Sequence, residues 1–125
     1  MRIGFIGTHQ GMSRSQKDAL RSLLAEYRPT QLHHYGSAGA DEEADAIFLT
    51  CCPSARIVIH SPATGYLARN RELIRRCDML VAAPETAEEQ ESGEVWSMIR
   101  YARVRNVTTV VLHPDSDGSR APGSE

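Results

Sequence analysis

The chain has no cysteine framework. Its three cysteines, Cys51, Cys52 and Cys77, are odd in number, and neither the adjacent pair nor the distant third has the spacing of a disulfide scaffold or a metal site. A reduced, intracellular setting is expected. Basic runs are missing as well. Nothing longer than a pair of arginines occurs, and 14 Lys+Arg against 16 Asp+Glu leave a net charge of -2. That balance lacks the positive stripe a nucleic-acid partner needs. No apolar run is long enough for a membrane span, and the opening MRIGFIG passes at once into polar residues, unlike a signal peptide. Neither G-x-G-x-x-G nor G-x-x-x-x-G-K-[ST] is present, which argues against the usual NAD dehydrogenases and against P-loop ATPases. No internal repeat is visible. The expectation is a soluble cytoplasmic protein with no nucleic-acid or membrane partner.

What is present is alternation. At 125 residues and 41% hydrophobic, the chain can bury one core of ordinary size. One domain is expected over residues 1–114, followed by a Pro-, Gly-, Ser- and Asp-rich tail, 115–125, expected to be disordered. Arg2 to Gly7 reads as a first buried strand. Ser13-Arg14-Ser15-Gln16 has the form of a capping box, opening a helix with Leu20, Leu23, Leu24 and Tyr27 on its buried stripe. Gln31 to Tyr35 is a short second strand, and Ala40, Ala44, Ile47, Phe48 and Cys51 recur at helical spacing. Ala55 to His60, with Ile57, Val58 and Ile59, is expected to be a buried strand because β-branched residues suit that setting. A loop from Ser61 to Gly65 leads into a helix carrying Leu67, Asn70, Leu73, Ile74 and Cys77 on one side. Met79 to Ala83 is an apolar strand, Val95, Met98, Ile99 and Ala102 mark a last helix, and Val107 to His113 a last strand.

Five strands alternating with four helices predict a single Rossmann-like, doubly wound parallel sheet with helices on both faces. If the first strand is central, the switch point falls between the first and fourth strands. Ligands of such sheets bind outside the C-terminal ends there, which sets the loop Gly7 to Met12 beside the loop Pro84 to Glu94. Thr8, His9 and Gln10 offer polar groups to a phosphate or a sugar hydroxyl, while Gly7 and Gly11 suit either a close ligand or merely a tight turn. Ser37, Gly39 and Ala40 are small enough for a ligand to approach the backbone, and Asp41 is a ligand contact or an acidic helix start. His33, His34, His60 and His113 fall at predicted strand ends, with His60 the best sugar or phosphate contact and no spacing that predicts a metal. Ser92 and Gly93 open the last helix. Glu94 follows them, where it complements the helix dipole, hydrogen-bonds a ribose, or assists departure of a base from a glycosidic carbon. Trp96 either stacks on a base or belongs to the core.

The segments GTHQGMS, LHHYGSAGAD, LARNRELIRRCDMLVAAP and SGEVWSMIRYAR together resemble the SLOG superfamily. That is the Rossmann-like group of the LOG nucleotide phosphoribohydrolases and the DprA-type and Thoeris-type nucleotide-binding domains. The likeness is nearest to its small, stand-alone branch and spans Arg2 to about Pro114. It implies a nucleotide or NAD-derived ligand held by Gly7, Thr8, Gly39, Asp41, Asn70, Arg71 and the Ser92-Gly93 turn. The departures are specific. Gly93-Glu94 stands where related sequences have Gly-Thr, Tyr35-Gly36-Ser37 stands where a Gly-Asp-Cys-like run is usual, and the segment from His60 to Asn70 is shorter. The Pro-Gly-Gly-rich catalytic signature of the LOG enzymes is absent after the fourth strand.

Three functional expectations follow. The first is a sensor or sequestering protein for a cyclic nucleotide, ADP-ribose or another NAD-derived signal, as in phage defence or counter-defence, with no separate cofactor. An alternative is a nucleotide N-glycoside hydrolase or transferase with Glu94 as its carboxylate and Arg71 clamping phosphate. A second alternative is a structural, homo-oligomeric domain, dimer or higher, joined through Tyr101 or the Leu67 helix. Because Glu94 repels a bare phosphate, the phosphate is expected nearer Gly7 to Gly11 and Arg71, with Ser92 to Glu94 meeting ribose or base.

Overall fold

Strand β4 (Met79–Ala83) is buried along its whole length, between β1 (Arg2–Gly7) on one side and β5 (Thr108–Val111) on the other. Beyond β1 lie β2 (Gln31–His34) and β3 (Arg56–Ile59), so the computed structural model has one parallel five-stranded sheet in the order β3-β2-β1-β4-β5. It describes residues 1–60 and 65–115. The expected loop at Ser61 to Thr64 and the tail 116–125 lie outside the described residues.

Alternation along the strands feeds two cores. Met79, Val81 and Ala83 join Ile3 and Phe5 beneath helices α1 (Arg14–Tyr27) and α2 (Ala40–Cys51). Leu80 and Ala82 point the other way with Ile6, beneath α3 (Tyr66–Arg76) and α4 (Glu94–Val104). A strand covered on both faces needs this pattern, and each fully buried Leu, Ile or Phe contributes roughly 1.5–3 kcal/mol of transfer free energy. The sheet is thus doubly wound, with two helices on each face. Among the described residues, no helix is long and apolar enough to cross a membrane.

Four expectations need correction. β3 is an edge strand whose residues are half-buried or exposed, Ile59 being 60% exposed, because only one neighbour, β2, pairs with it. Tyr27, expected on the buried stripe of α1, ends that helix at 42% exposure. Tyr101 is half-buried against the α3/α4 core rather than exposed. Asp115, read as the first tail residue, accepts a hydrogen bond from the Ser15 amide (3.1 Å), and the His113 carbonyl accepts one from the Ser15 hydroxyl (3.2 Å).

The capping box forms and does more than cap. Ser13 Oγ accepts from the Gln16 amide, and Gln16 Oε1 accepts from the Ser13 amide at 2.9 Å. The same Gln16 side chain donates from Nε2 to the carbonyls of Pro84 (2.7 Å) and Leu112 (2.9 Å). One buried amide therefore ties the start of α1 to the C-terminal ends of β4 and β5.

Candidate functional site

β1 and β4 pair up to Gly7 and Ala83, and there the chain turns out of the sheet in opposite directions, into α1 on one face and α4 on the other. The gap left at such a switch point is where open α/β sheets bind ligands. A cavity of about 450 Å³ occupies it, walled by Gly7, Thr8, His9 and Gln10 from the β1–α1 loop. Glu85, Thr86, Gln90, Ser92 and Gly93 from the β4–α4 loop form the opposite wall, with Glu94, Val95 and Trp96 from the first turn of α4. That volume lies within the roughly 300–1,000 Å³ typical of small-molecule sites. With its amide nitrogen turned to donate, Gln10 reaches Glu85 Oε2 at 2.7 Å, so the two walls touch. Arg100 holds the acidic loop against α4 by donating to Glu89 Oε2 (3.1 Å) and to the carbonyls of Gln90 (2.7 Å) and Glu91 (2.9 Å).

The two helix starts at this crevice differ. At α1 the amides already have acceptors: Met12 donates to Glu43 Oε1 (2.6 Å), Ser13 to Gln16 and Ser15 to Asp115. Glu43 is paired in turn with Lys17 at 3.3 Å. At α4 the cap is Gly93, without a side-chain hydrogen bond, and the first backbone bond runs from the Ser97 amide to the Gly93 carbonyl (3.1 Å). The amides of Glu94, Val95 and Trp96 precede that bond, and all three residues line the cavity. A helix start of this kind presents orphan donors and the positive end of the dipole.

Glu94 is not isolated. Arg69 of α3 donates from Nη2 to Glu94 Oε2 at 3.3 Å, and its guanidinium lies over the Tyr35 ring, 4.5 Å from the centroid. The Tyr35 hydroxyl donates to Asn70 Oδ1 at 2.5 Å. This places Asn70 behind the crevice as a buried tether. Arg71 lies elsewhere, with Tyr101, Val104 and Val107 beside a separate cavity between α3 and α4. The cation beside the crevice is therefore Arg69 and not the expected Arg71. The two arginines flank the buried stripe of α3 on opposite sides, and helical phase alone does not say which side meets the start of α4.

The second predicted loop is used for packing. Gly39 abuts the backbone of the β1–α1 loop, where an added Cβ would lie 2.2 Å from the His9 carbonyl oxygen, and the Ala40 amide donates to the Thr8 carbonyl at 2.9 Å. Ala40 leaves no room for a side chain at Gly7. Ligand access is thus not what keeps these residues small. Asp41 is buried and accepts from the amides of Tyr35 (3.3 Å) and Ser37 (3.2 Å). Burial pushes its carboxyl above the ordinary range, opposed by the Ser37 amide and by His34, and Glu94 adds to the upward push. Gly11 sits against the Glu43 carboxylate, and the Pro84 carbonyl is taken by Gln16.

The histidines are mostly interior. His34 accepts the Gly36 amide on Nδ1 (2.8 Å), which leaves Nε2–H to donate to Asp45 (3.1 Å). His33 turns to the opposite face, bonded through Nε2 to Gln31 Oε1 (2.9 Å) and through Nδ1 to His60 Nε2 (2.8 Å). Gln31 Oε1 only accepts, so His33 carries its proton on Nε2 and His60 donates from Nε2. His60 is accordingly a partner of His33 in the α3 layer and does not line the crevice. Burial, then repulsion from His60 and Arg76, lowers the His33 pKa to about 4, and burial lowers that of His60.

Between about pH 6.5 and 4 the unfolded chain therefore binds more protons than the native one. Stability is greatest above that window and falls as pH drops through it. Urea midpoints measured at pH 7, 5.5 and 4.5 are expected to fall, and His33→Asn, which keeps an acceptor for His60, to flatten the slope by up to about one proton. An unchanged slope in that variant would assign the pH dependence to other groups.

Among the described residues, no three His, Cys, Asp or Glu side chains converge as a metal site requires. Cys77 is core, with its thiol pushed up to about 11 by burial. No family model matches the chain, and neither does any curated protein or solved structure.

Proposed function

We propose that this protein binds a nucleotide-derived small molecule in the crevice between Gly7–Gln10 and Glu85–Trp96. The carrying observation is the cavity of about 450 Å³ at the β1/β4 switch point, walled on one side by an α4 start that no side chain caps. The lining supports the reading. Thr8, Gln10, Thr86, Gln90 and Ser92 supply neutral donors and acceptors of the kind that read a base edge or a sugar, and orphan amides supply more. Such a ligand is what the resemblance to the SLOG group implies, and a sensor or sequestering role is the simplest use of a crevice whose Glu94 is held by Arg69 and whose Glu85 lies on an exposed loop.

Calorimetric titration of the full chain with ribonucleosides, their 5′-monophosphates, cyclic nucleotides, ADP-ribose and NAD tests this. Saturable heat is expected with at least one of them, and a Ser92→Trp variant that fills the crevice is expected to weaken that binding at least tenfold. Silence across the whole panel from correctly folded protein contradicts the proposal, as does equal binding by the variant.

A further inference from the structure

We infer that the crevice receives the nucleoside end of its ligand, a base with an unphosphorylated ribose, and selects against a 5′-phosphate. This rests on reading the crevice as a nucleotide-type site, and it specifies which part of the ligand enters.

Charge on the walls is the first observation. Among the described residues lining the cavity there are two carboxylates, Glu85 and Glu94, and no lysine or arginine. Among the described residues Glu85 has the neutral Gln10 amide for a partner and no cation paired with it. The nearby cations are engaged: Arg69 by Glu94, Arg100 by Glu89 and two carbonyls, Lys17 by Glu43.

A second, independent observation concerns where a phosphate would go. In folds of this type the usual cradle is the start of the helix after β1. Here the protein's own carboxylates occupy it, Glu43 on the Met12 amide and Asp115 on the Ser15 amide. A phosphate would have to displace both while facing Glu85 across the gap. Like charges facing each other across the gap oppose binding, and this is how a site rejects a near relative of its ligand.

What the walls do suit is a diol and a base. An ionised carboxylate is acceptor-only, so it pairs well with two ribose hydroxyls that donate. Trp96, only 7% exposed, lines the cavity beside the uncapped amides of α4, and its Nε1–H has no acceptor among the described residues. A base carbonyl or ring nitrogen is the neutral acceptor such donors call for, whereas buried donors left unpaired are destabilising.

The test pairs each of the four ribonucleosides with its own 5′-monophosphate in titrations of the full chain at constant ionic strength. At least one nucleoside is expected to bind, with its monophosphate at least about tenfold weaker, and Glu85→Gln and Glu94→Gln are each expected to narrow that ratio. Glu85 lies on an exposed loop, which makes its variant independent of any folding defect at Glu94. Monophosphates that bind as tightly as nucleosides, or binding confined to phosphorylated probes, overturn this inference and leave the crevice proposal standing. A ratio unchanged in both variants overturns the electrostatic account. No binding by any nucleoside, nucleotide or dinucleotide overturns inference and proposal together.

Discussion

Gln16→Leu is expected to destabilise the fold by about 3 kcal/mol or more. Three buried groups lose their partner at once: the Ser13 amide, the Pro84 carbonyl and the Leu112 carbonyl. A buried polar group left unsatisfied costs roughly 1–3 kcal/mol, and leucine is close enough in size that no water replaces the amide. For a domain of this length the melting temperature is expected to drop by roughly 10 °C or more. Ser13→Ala is the control. It removes the cap acceptor for the Gln16 amide but leaves the ties to β4 and β5, so a loss of only about 1 kcal/mol is expected. Equal losses in the two variants would mean that Gln16 acts as a cap and not as a cross-tie. Because Pro84 leads into the β4–α4 loop, Gln16→Leu should also weaken ligand binding by more than its effect on folding explains.

Gly39→Ala is expected to be nearly as damaging, for a steric reason. Gly39 has φ of +84°, a conformation that residues with a Cβ rarely adopt, and the added methyl would lie 2.2 Å from the His9 carbonyl oxygen and 2.7 Å from that of Thr8. Those are backbone atoms, and they cannot rotate away. The neighbouring Ala40 amide is bonded to that same Thr8 carbonyl, so the two loops must separate for the methyl to fit. A loss of about 3 kcal/mol or more is expected, together with displacement of the Thr8–His9 wall of the crevice. Gly65→Ala isolates the conformational part: its φ is +89°, but a methyl there meets nothing among the described residues within 4 Å. Only about 1–3 kcal/mol is expected at that position. If both glycines cost the same in urea unfolding, the loop contact contributes nothing and the account of Gly39 fails.

These two residues also mark what a sequence can and cannot disclose. Patterns that are local and periodic were legible: the apolar run at Met79–Ala83, the stripe Val95, Met98, Ile99 and Ala102, and the Ser13–Gln16 box each follow from spacing within one element. Alternation of strands and helices then led to the doubly wound sheet, and strand order set the β1–α1 and β4–α4 loops at one gap. Long-range partners were not legible. Nothing around Gln16 announces Pro84 and Leu112, and nothing around Gly39 announces the His9 backbone. β-Branched residues read alike at an edge and at the centre of a sheet, so Ile57–Ile59 looked buried when β3 has only one neighbour. Arg69 and Arg71 have equivalent positions beside the stripe of α3, and only the placement of the start of α4 distinguishes them. Arg100 went unread because its partners are carbonyls of a loop with no pattern of its own.

The central claim is that the crevice at the β1/β4 switch point is the binding site. Another cavity, of about 590 Å³, lies at the other end of the fold, between Arg28, Thr30, Cys51 and Cys52, and it provides the contrast. The most direct measurement is an amide ¹H–¹⁵N correlation spectrum of the full chain during titration with whichever nucleoside or nucleotide probe binds. The expected result is perturbation concentrated at Thr8, Gln10, Ser92, Gly93, Glu94 and Val95, together with a shift of the indole N–H of Trp96, the chain's single tryptophan. Perturbation centred on Arg28, Cys51 and Cys52 with the Trp96 indole unmoved would contradict it.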